Sequence, residues 1–308
     1  MSYLKNLGTV QIAVLFLILA NVIWGAAFPI YKWALEDIPP FTFVFIRFFL
    51  GALIILPFVR KDLKIVKEDH KNLILLAIFT VSLQIPLLFF GLKLTPSINA
   101  PIIISLAPII LIFASVFFLH EKLKAKVIAG TLISLLGILA IIFEPLLESG
   151  FSGSLIGNFL IFLATICSVV EAILLKKVTT RNNPLTIIFW IFLIGSLPLI
   201  PFVIKESQTF NILTDLTMPG FIGLIYGIYF TAIIAHLLYT YGMKYIKASE
   251  VGVFNYVDPI ATIVVAIPLL GEKLTPAYLV GSMLVFLGIY IVEGRLHYHP
   301  FHRLFAKD

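Results

Sequence analysis

The stretch PIILIFASVFFLHEKLKAKVIAGTLISLLG, Pro108 to Gly137, is met again 151 residues later as PIATIVVAIPLLGEKLTPAYLVGSMLVFLG, Pro259 to Gly288. Each copy runs from a proline through apolar residues to Glu-Lys-Leu and then to two glycines. Pro108, Glu121, Lys122, Leu123, Gly130 and Gly137 meet Pro259, Glu272, Lys273, Leu274, Gly281 and Gly288 without a gap, and upstream Gly91 and Lys93 meet Gly242 and Lys244. So many coincidences at one offset indicate an internal duplication.

Composition fixes the setting. Of the 308 residues, 60% are hydrophobic and 12% charged, and the mean hydropathy is +1.08. Soluble domains carry roughly twice that share of charge, so the chain reads as a polytopic membrane protein. The net charge of +6 does not point to nucleic acid, because the basic residues fall in short loops between apolar segments. Cys167, the single cysteine, excludes an intrachain disulfide and a multi-cysteine metal site. The first apolar run is long for a signal segment and reads as a retained first helix.

About 20 apolar residues are needed to cross a bilayer as a helix. Ten such stretches occur, at roughly 12–32, 40–59, 73–91, 98–119, 126–144, 154–175, 185–204, 219–242, 249–270 and 275–294. The expected fold is therefore an all-α integral membrane protein of ten transmembrane helices. Residues 1–150 form one five-helix repeat, and residues 151–308 form a second with a short tail. With the amino terminus inside, 17 lysines and arginines fall on the inner side and 3 on the outer side, which predicts both termini in the cytoplasm. An odd number of spans per repeat inverts the second copy. Glu121-Lys122 then falls inside and Glu272-Lys273 outside. Inverted repeats are how many secondary transporters build two states of opposite access. The polar joint from Arg60 to Lys71 is expected to be a plain loop.

These features resemble the drug/metabolite transporter superfamily, specifically its EamA-type members. Trp24-Gly25 with Phe28, Lys32, Pro39 and Arg47, the Gly-x-Lys turns at Gly91 and Gly242, and the two Pro-to-Glu-Lys-Leu blocks carry the resemblance. It implies ten spans in two repeats, and carriage of amino acids, related metabolites or drugs, with export the expected direction in a cytoplasmic membrane. One departure stands out: the second half has no arginine matching Arg47.

Polar groups inside a bilayer are costly and mark pathways or satisfied helix contacts. Asn21, Trp24, Phe28 and Tyr31 recur at helical spacing and share a face. That face reads as a cavity wall, with a packing seam as the alternative. Lys32 reads as cavity or as snorkelling to the interface. Arg47 lies roughly 10 Å into the second span, paired structurally or set to meet an anionic solute. Pro101 and Pro108 in the fourth span, and Pro259 in the ninth, predict kinks, as does Pro86 beside Gln84 in the third. Interrupted spans at corresponding positions point to a binding site. Asn99, Ser105, Asn255 and Tyr256 join the candidate lining there. Glu171 and Asp258 are candidate ionisable groups for coupling, with Ser168 near the former, while Glu250 is read as solvated. Tyr229 and His236 are assigned to one face of the eighth span.

The expected partners are a small-molecule substrate, the lipid bilayer and, for coupling, protons. A homodimer through the glycines of spans five and ten is an alternative to packing within the bundle. No cofactor is called for, and no Walker motif suggests direct use of ATP. His297, His299 and His302 lie in a basic tail rather than in a metal-binding spacing. Competing readings are a passive channel or lipid scramblase, a carrier of drugs or other metabolites, and an intramembrane enzyme, which would need a nucleophile–base pair that the sequence does not offer.

Overall fold

The computed structural model describes residues 2–94, 99–104, 106–149, 155–270 and 276–293. Glu272, Lys273 and the histidine-bearing tail lie outside them, as do the side chains of Asn99, Pro101 and Ser105. Helices cover every apolar stretch, because backbone polar groups in hydrocarbon must be satisfied within the segment. They are α1 (Ser2–Ala34), α2 (Pro40–Val59), α3 (Lys67–Leu94), α4 in two segments (Asn99–Ile104 and Ala107–Leu119), and α5 (Ala125–Ser149). There follow α6 (Leu155–Thr179), α7 (Pro184–Glu206), α8 (Met218–Tyr245), α9 (Ala248–Leu270) and α10 (Pro276–Glu293). Six of them, α1, α2, α3, α6, α7 and α8, are long and apolar enough to cross a membrane. The chain is a multi-pass membrane protein.

Local chemistry sets the helix ends. Asn183 accepts from the Leu185 N–H at 3.0 Å and Pro184 opens α7. Proline suits a first turn because its missing N–H would be unpaired there anyway. Two other starts are capped from a distance. Glu206, at the end of α7, accepts from the N–H of Phe41 and Thr42 and from the Thr42 hydroxyl, at 3.2, 2.7 and 2.8 Å. Glu121, of the first Glu-Lys-Leu, does the same for α9, accepting from Ala248 N–H, Ser249 N–H and Ser249 Oγ at 3.0, 3.1 and 2.6 Å. A carboxylate on orphan donors at a helix start satisfies them and complements the dipole. The repeated glutamate thus ties α4 to α9. Beside it Lys124 pairs with Glu250 at 3.0 Å. Glu250 is buried, so the expectation that it is solvated is corrected: the ion pair is what lets it sit inside.

The helices depart from α geometry where proline demands it. A proline clashes with the carbonyl four residues earlier. For Pro86 that residue is Ser82, inside a π-helical stretch, Ile78–Gln84. For Pro108 it is Ile104, the last residue of the first α4 segment. For Pro259 it is Asn255, inside a 3-10 stretch, Gly252–Tyr256. α8 carries a second π-helical stretch, Tyr226–Ala235, with no proline in it. Shifting Ile78–Gln84 by 151 residues lands on 229–235, within that stretch.

Packing follows one rule. α1 lies against α8 and α9, and α6 lies against α3 and α4. α2 packs on α7, and α5 packs on α10 in the most extensive contact of the molecule. In that last pair a Cβ on Gly130 would sit 2.5 Å from the Gly288 carbonyl, and one on Gly137 would sit 2.5 Å from the Gly281 carbonyl. Ser134 donates to the Val285 carbonyl between them at 3.2 Å. The helices run antiparallel, and small residues let their backbones touch. These four glycines face one another within the chain. On the side of the Arg60–Lys71 joint, Asp69 is fully buried. It accepts from Arg181 at 2.6 Å and Asn182 at 2.7 Å. The joint is irregular up to the 3-10 turn Lys67–Asp69.

Candidate functional site

The polar residues of the bundle converge. A cavity of about 140 Å³ lies between α1, α2, α3, α4, α6, α8 and α9. Asn21, Trp24, Phe28 and Tyr31 line it from α1, Arg47 from α2, Gln84 from α3, Ser168 and Glu171 from α6, His236 from α8, and Asn255 and Asp258 from α9. The helical spacing that grouped the α1 residues is why all four reach one space. A smaller pocket adjoins it, walled by Phe28, Asn255, Tyr256, Asp258, Pro259 and others. Tyr256 and Pro259 belong to this annex rather than to the main cavity.

Tyr229 does not join them. It is 45% exposed on the outer face of α8. Seven residues return to the same side of an α-helix at 3.6 per turn, which is why the sequence assigns it to the face of His236. The π-helical stretch takes more residues per turn, and Tyr229 swings outward. Pro86 and Pro108 shape their helices without lining the cavity, and Lys32 is exposed at the end of α1.

Thr231, which the sequence analysis missed, organises one wall. Its carbonyl accepts from Trp24 Nε1 at 3.2 Å and from His236 Nδ1 at 2.8 Å. Its hydroxyl donates to the Gly227 carbonyl at 2.8 Å and accepts from Tyr31 in a short hydrogen bond. A carbonyl only accepts, so His236 carries its proton on Nδ1. Its ring packs edge-on to Trp24, at 5.2 Å between centroids, and to Phe192 at 5.3 Å. Trp24 also meets Tyr239 at 5.0 Å. Tyr239, Thr80 and Phe89 line the cavity too. For Tyr239 and Thr80 the signal was a position one turn from a named candidate, His236 and Gln84 respectively; Phe89 sits in an apolar run with no such marker.

On the opposite wall α1 and α9 come together at Gly25. The Thr262 hydroxyl lies 2.8 Å from both the Gly25 and the Asp258 carbonyls. Asn21 donates through Nδ2 to the Leu17 carbonyl at 2.8 Å, which leaves its Oδ1 buried without a partner. Asp258 Oδ1, Gln84 Oε1 and Arg47 Nε are also buried and unpaired. Buried polar groups are normally satisfied, so this concentration marks a place that takes up water or a solute. Among the described residues no cluster of side chains suits a metal ion.

A multi-pass helical bundle that folds both parts of its chain around one polar and aromatic cavity has the build of a membrane transporter. The chain belongs to the EamA-like transporter family, which residues 11–143 and 155–293 match in turn. Among its relatives is an uncharacterized transporter of Archaeoglobus fulgidus, 29% identical over 276 residues that make up 90% of this chain and 96% of the relative. A relative in Escherichia coli bears the name "Probable amino-acid metabolite efflux pump" and is 25% identical over 285 residues, 89% of this chain and 92% of its own length. The fold is similar to that of a solved crystal structure, with a TM-score of 0.75 at 16% identity over 91% of this chain and 98% of that one.

Proposed function

We propose that the chain is a secondary transporter that exports a small amphipathic solute, an amino acid or a relative of one, across the cytoplasmic membrane. Two inverted five-helix halves, 1–150 and 151–308, alternate access to the cavity, and both termini face the cytoplasm. The observation that carries this reading is the cavity itself, walled by α1–α4 of one half and α6, α8 and α9 of the other. The frame supports inversion. Exchanging each helix for its counterpart five places on turns the α1 contacts with α8 and α9 into the α6 contacts with α4 and α3. It maps the α5–α10 and α2–α7 pairs onto themselves. The cavity has room for on the order of ten waters, which suits a solute of amino-acid size. The name of the Escherichia coli relative favours the same class.

In the cycle, the broken α4 and α9 and their π-bearing partners α3 and α8 supply the joints. Such departures from α geometry are where helices bend. Asp258 and Glu171 are the groups through which a proton gradient would act, with His236 in the same cavity. The test is counterflow in proteoliposomes preloaded with unlabelled amino acids and related metabolites, followed by uptake of labelled leucine, threonine and phenylalanine. A transient, saturable overshoot selective among solutes is expected, and it is lost in Asp258→Asn if that carboxylate takes part. Unsaturable leak of every solute would replace the carrier with a pore.

A further inference from the structure

The geometry points to Arg47 as the anchor for a carboxylate of the solute, which makes the solute class organic acids and zwitterions with an apolar body. This rests on the carrier reading and deepens it. Arg47 is 2% exposed and stands in the cavity wall. A guanidinium stays charged at any working pH, and buried ones are matched by a carboxylate or phosphate in the plane of their donors. Arg47 has no such match among the described residues. The ion pairs found there are Lys124 with Glu250 and Arg181 with Asp69, both away from the cavity. Its Nε has no acceptor.

What surrounds the guanidinium is aromatic. Its carbon lies 4.6 Å from the Phe48 ring centroid and 5.2 Å from that of Tyr31. Ring faces stabilise a cation, but they leave the in-plane N–H donors unused. The donors are therefore held ready for something that enters the cavity. Gly227 makes room for the arginine stem: a Cβ there would lie 3.3 Å from Arg47 Cδ. The cavity carboxylates, Glu171 and Asp258, stand on α6 and α9 without pairing to it. The site thus has a cation on α2 and acids on α6 and α9, and Trp24, Phe28 and Tyr239 line the same cavity as surroundings for an apolar body. A carboxylate at Arg47 directs any ammonium on the same solute toward the acids.

The experiment measures equilibrium binding to the purified full-length protein of three acid–amide pairs. These are leucine with leucinamide, phenylalanine with phenylalaninamide, and 3-phenylpropionate with 3-phenylpropanamide. An unpaired buried charge forfeits a charge-assisted hydrogen bond when the acid becomes an amide, so the acids should bind roughly 10- to 100-fold more tightly. Arg47→Gln should erase the ratio by weakening the acid and leaving the amide alone. A misfolded variant would lose both, so the ratio separates anchoring from structure. Arg47→Lys should keep a reduced preference. Among the described residues, the only other group in the cavity that can become a cation is His236. For the phenylpropionate pair, whose charges do not change above neutrality, a preference that holds from pH 7 to 10 assigns the anchor to arginine without any variant. The proposal is overturned if amides bind as well as acids, if no acid in the set binds, or if the preference survives in Arg47→Gln. Counterflow distinguishes this from a failure of the carrier reading. Exchange of amides or amines with no exchange of acids keeps the carrier and removes the anchor. Acid-selective binding without any exchange does the reverse.

Discussion

Gly25→Ala should loosen the contact on which α1 and α9 meet. A Cβ at this position would collide with the Asp258 carbonyl oxygen and would lie 2.8 Å from both Asp258 Cα and Ala261 Cβ. Ordinary contact begins near 3.4 Å, so relief of the milder clashes alone separates the helices by at least about 0.6 Å; the displaced atoms are largely backbone and cannot rotate away. The same movement stretches the 2.8 Å hydrogen bond from Thr262 to the Gly25 carbonyl. Overpacking of this kind costs about 1–3 kcal/mol and the bond about 0.5–1.5 kcal/mol. Against that, alanine gains up to about 1 kcal/mol over glycine in a helix. The clash wins, with a net loss of about 1–3 kcal/mol. The assay is reversible unfolding in mixed micelles, with Gly51→Ala as the control. There the nearest atoms belong to the Phe192 ring at 3.2 Å, which can yield, and the substitution should be close to neutral. Thr262→Val adds a check, because it should cost less in the Gly25→Ala background than alone. Equal stability of Gly25→Ala and Gly51→Ala, or strict additivity with Thr262→Val, would refute the reasoning.

Glu121→Ala should destabilise the protein by about 1–3 kcal/mol, since it strips two backbone donors and a hydroxyl of a charged acceptor; Glu121→Gln should recover part of this in the same unfolding assay. Asp69→Ala removes the acceptor of Asn182, which is buried, and of Arg181, whose side chain is 51% exposed. The arginine can rehydrate, so the loss should stay near the price of one buried amide, about 1–3 kcal/mol, rather than that of a broken internal ion pair. In a background without Cys167, single cysteines at Lys64 and Lys177 should react with membrane-impermeant maleimide only after cells are opened, and cysteines at Glu36 and Asn211 should react on intact cells. The opposite pattern would reverse the proposed orientation.

The membrane class was written plainly in composition, and helices stand over each of the ten apolar stretches. The duplication was legible because Pro, Glu-Lys-Leu and glycine recur at one offset, and two of those signals have visible causes. Gly91 packs against Ile161 and Gly242 against Leu17, each at a distance that forbids a Cβ. Glu121 holds the start of a helix 127 residues on. Neither partner can be read from the sequence, because both lie in the other half of the chain. The same limit hid Thr231, whose role depends on side chains 200 and 207 residues away. Tyr229 went astray for a different reason. The prolines announce the irregular turns of α3, α4 and α9, but nothing announces the π-helical turns of α8, and a face assigned at 3.6 residues per turn cannot survive them.

The two halves share a frame but not its furnishings, and two threonines make the difference measurable. Thr80 and Thr231 are 151 residues apart and both sit in π-helical stretches. Thr231 is fully used, by Tyr31, Gly227, Trp24 and His236. Thr80 lines the cavity with its buried hydroxyl facing the Glu171 carboxylate and without a close hydrogen bond. Removing a hydroxyl that holds a neighbour leaves the neighbour stranded; removing one that is held loosely costs less. Thr231→Val should therefore cost about 1–3 kcal/mol, because the Tyr31 hydroxyl is left without an acceptor. Thr80 faces the Glu171 carboxylate, so Thr80→Val should cost the fold less than Thr231→Val does, and part of its cost should appear in solute affinity. Equal effects on unfolding would mean that the walls are equivalent after all. Arg47 argues that they are not. An alternating frame needs two similar halves to present one site to either side, but a solute with a charged end and an apolar body needs the ends of that site to differ. In the proposed carrier, the bends of α3, α4, α8 and α9 would serve the first need, and the difference at Arg47 and in the bonding of Thr80 and Thr231 would serve the second.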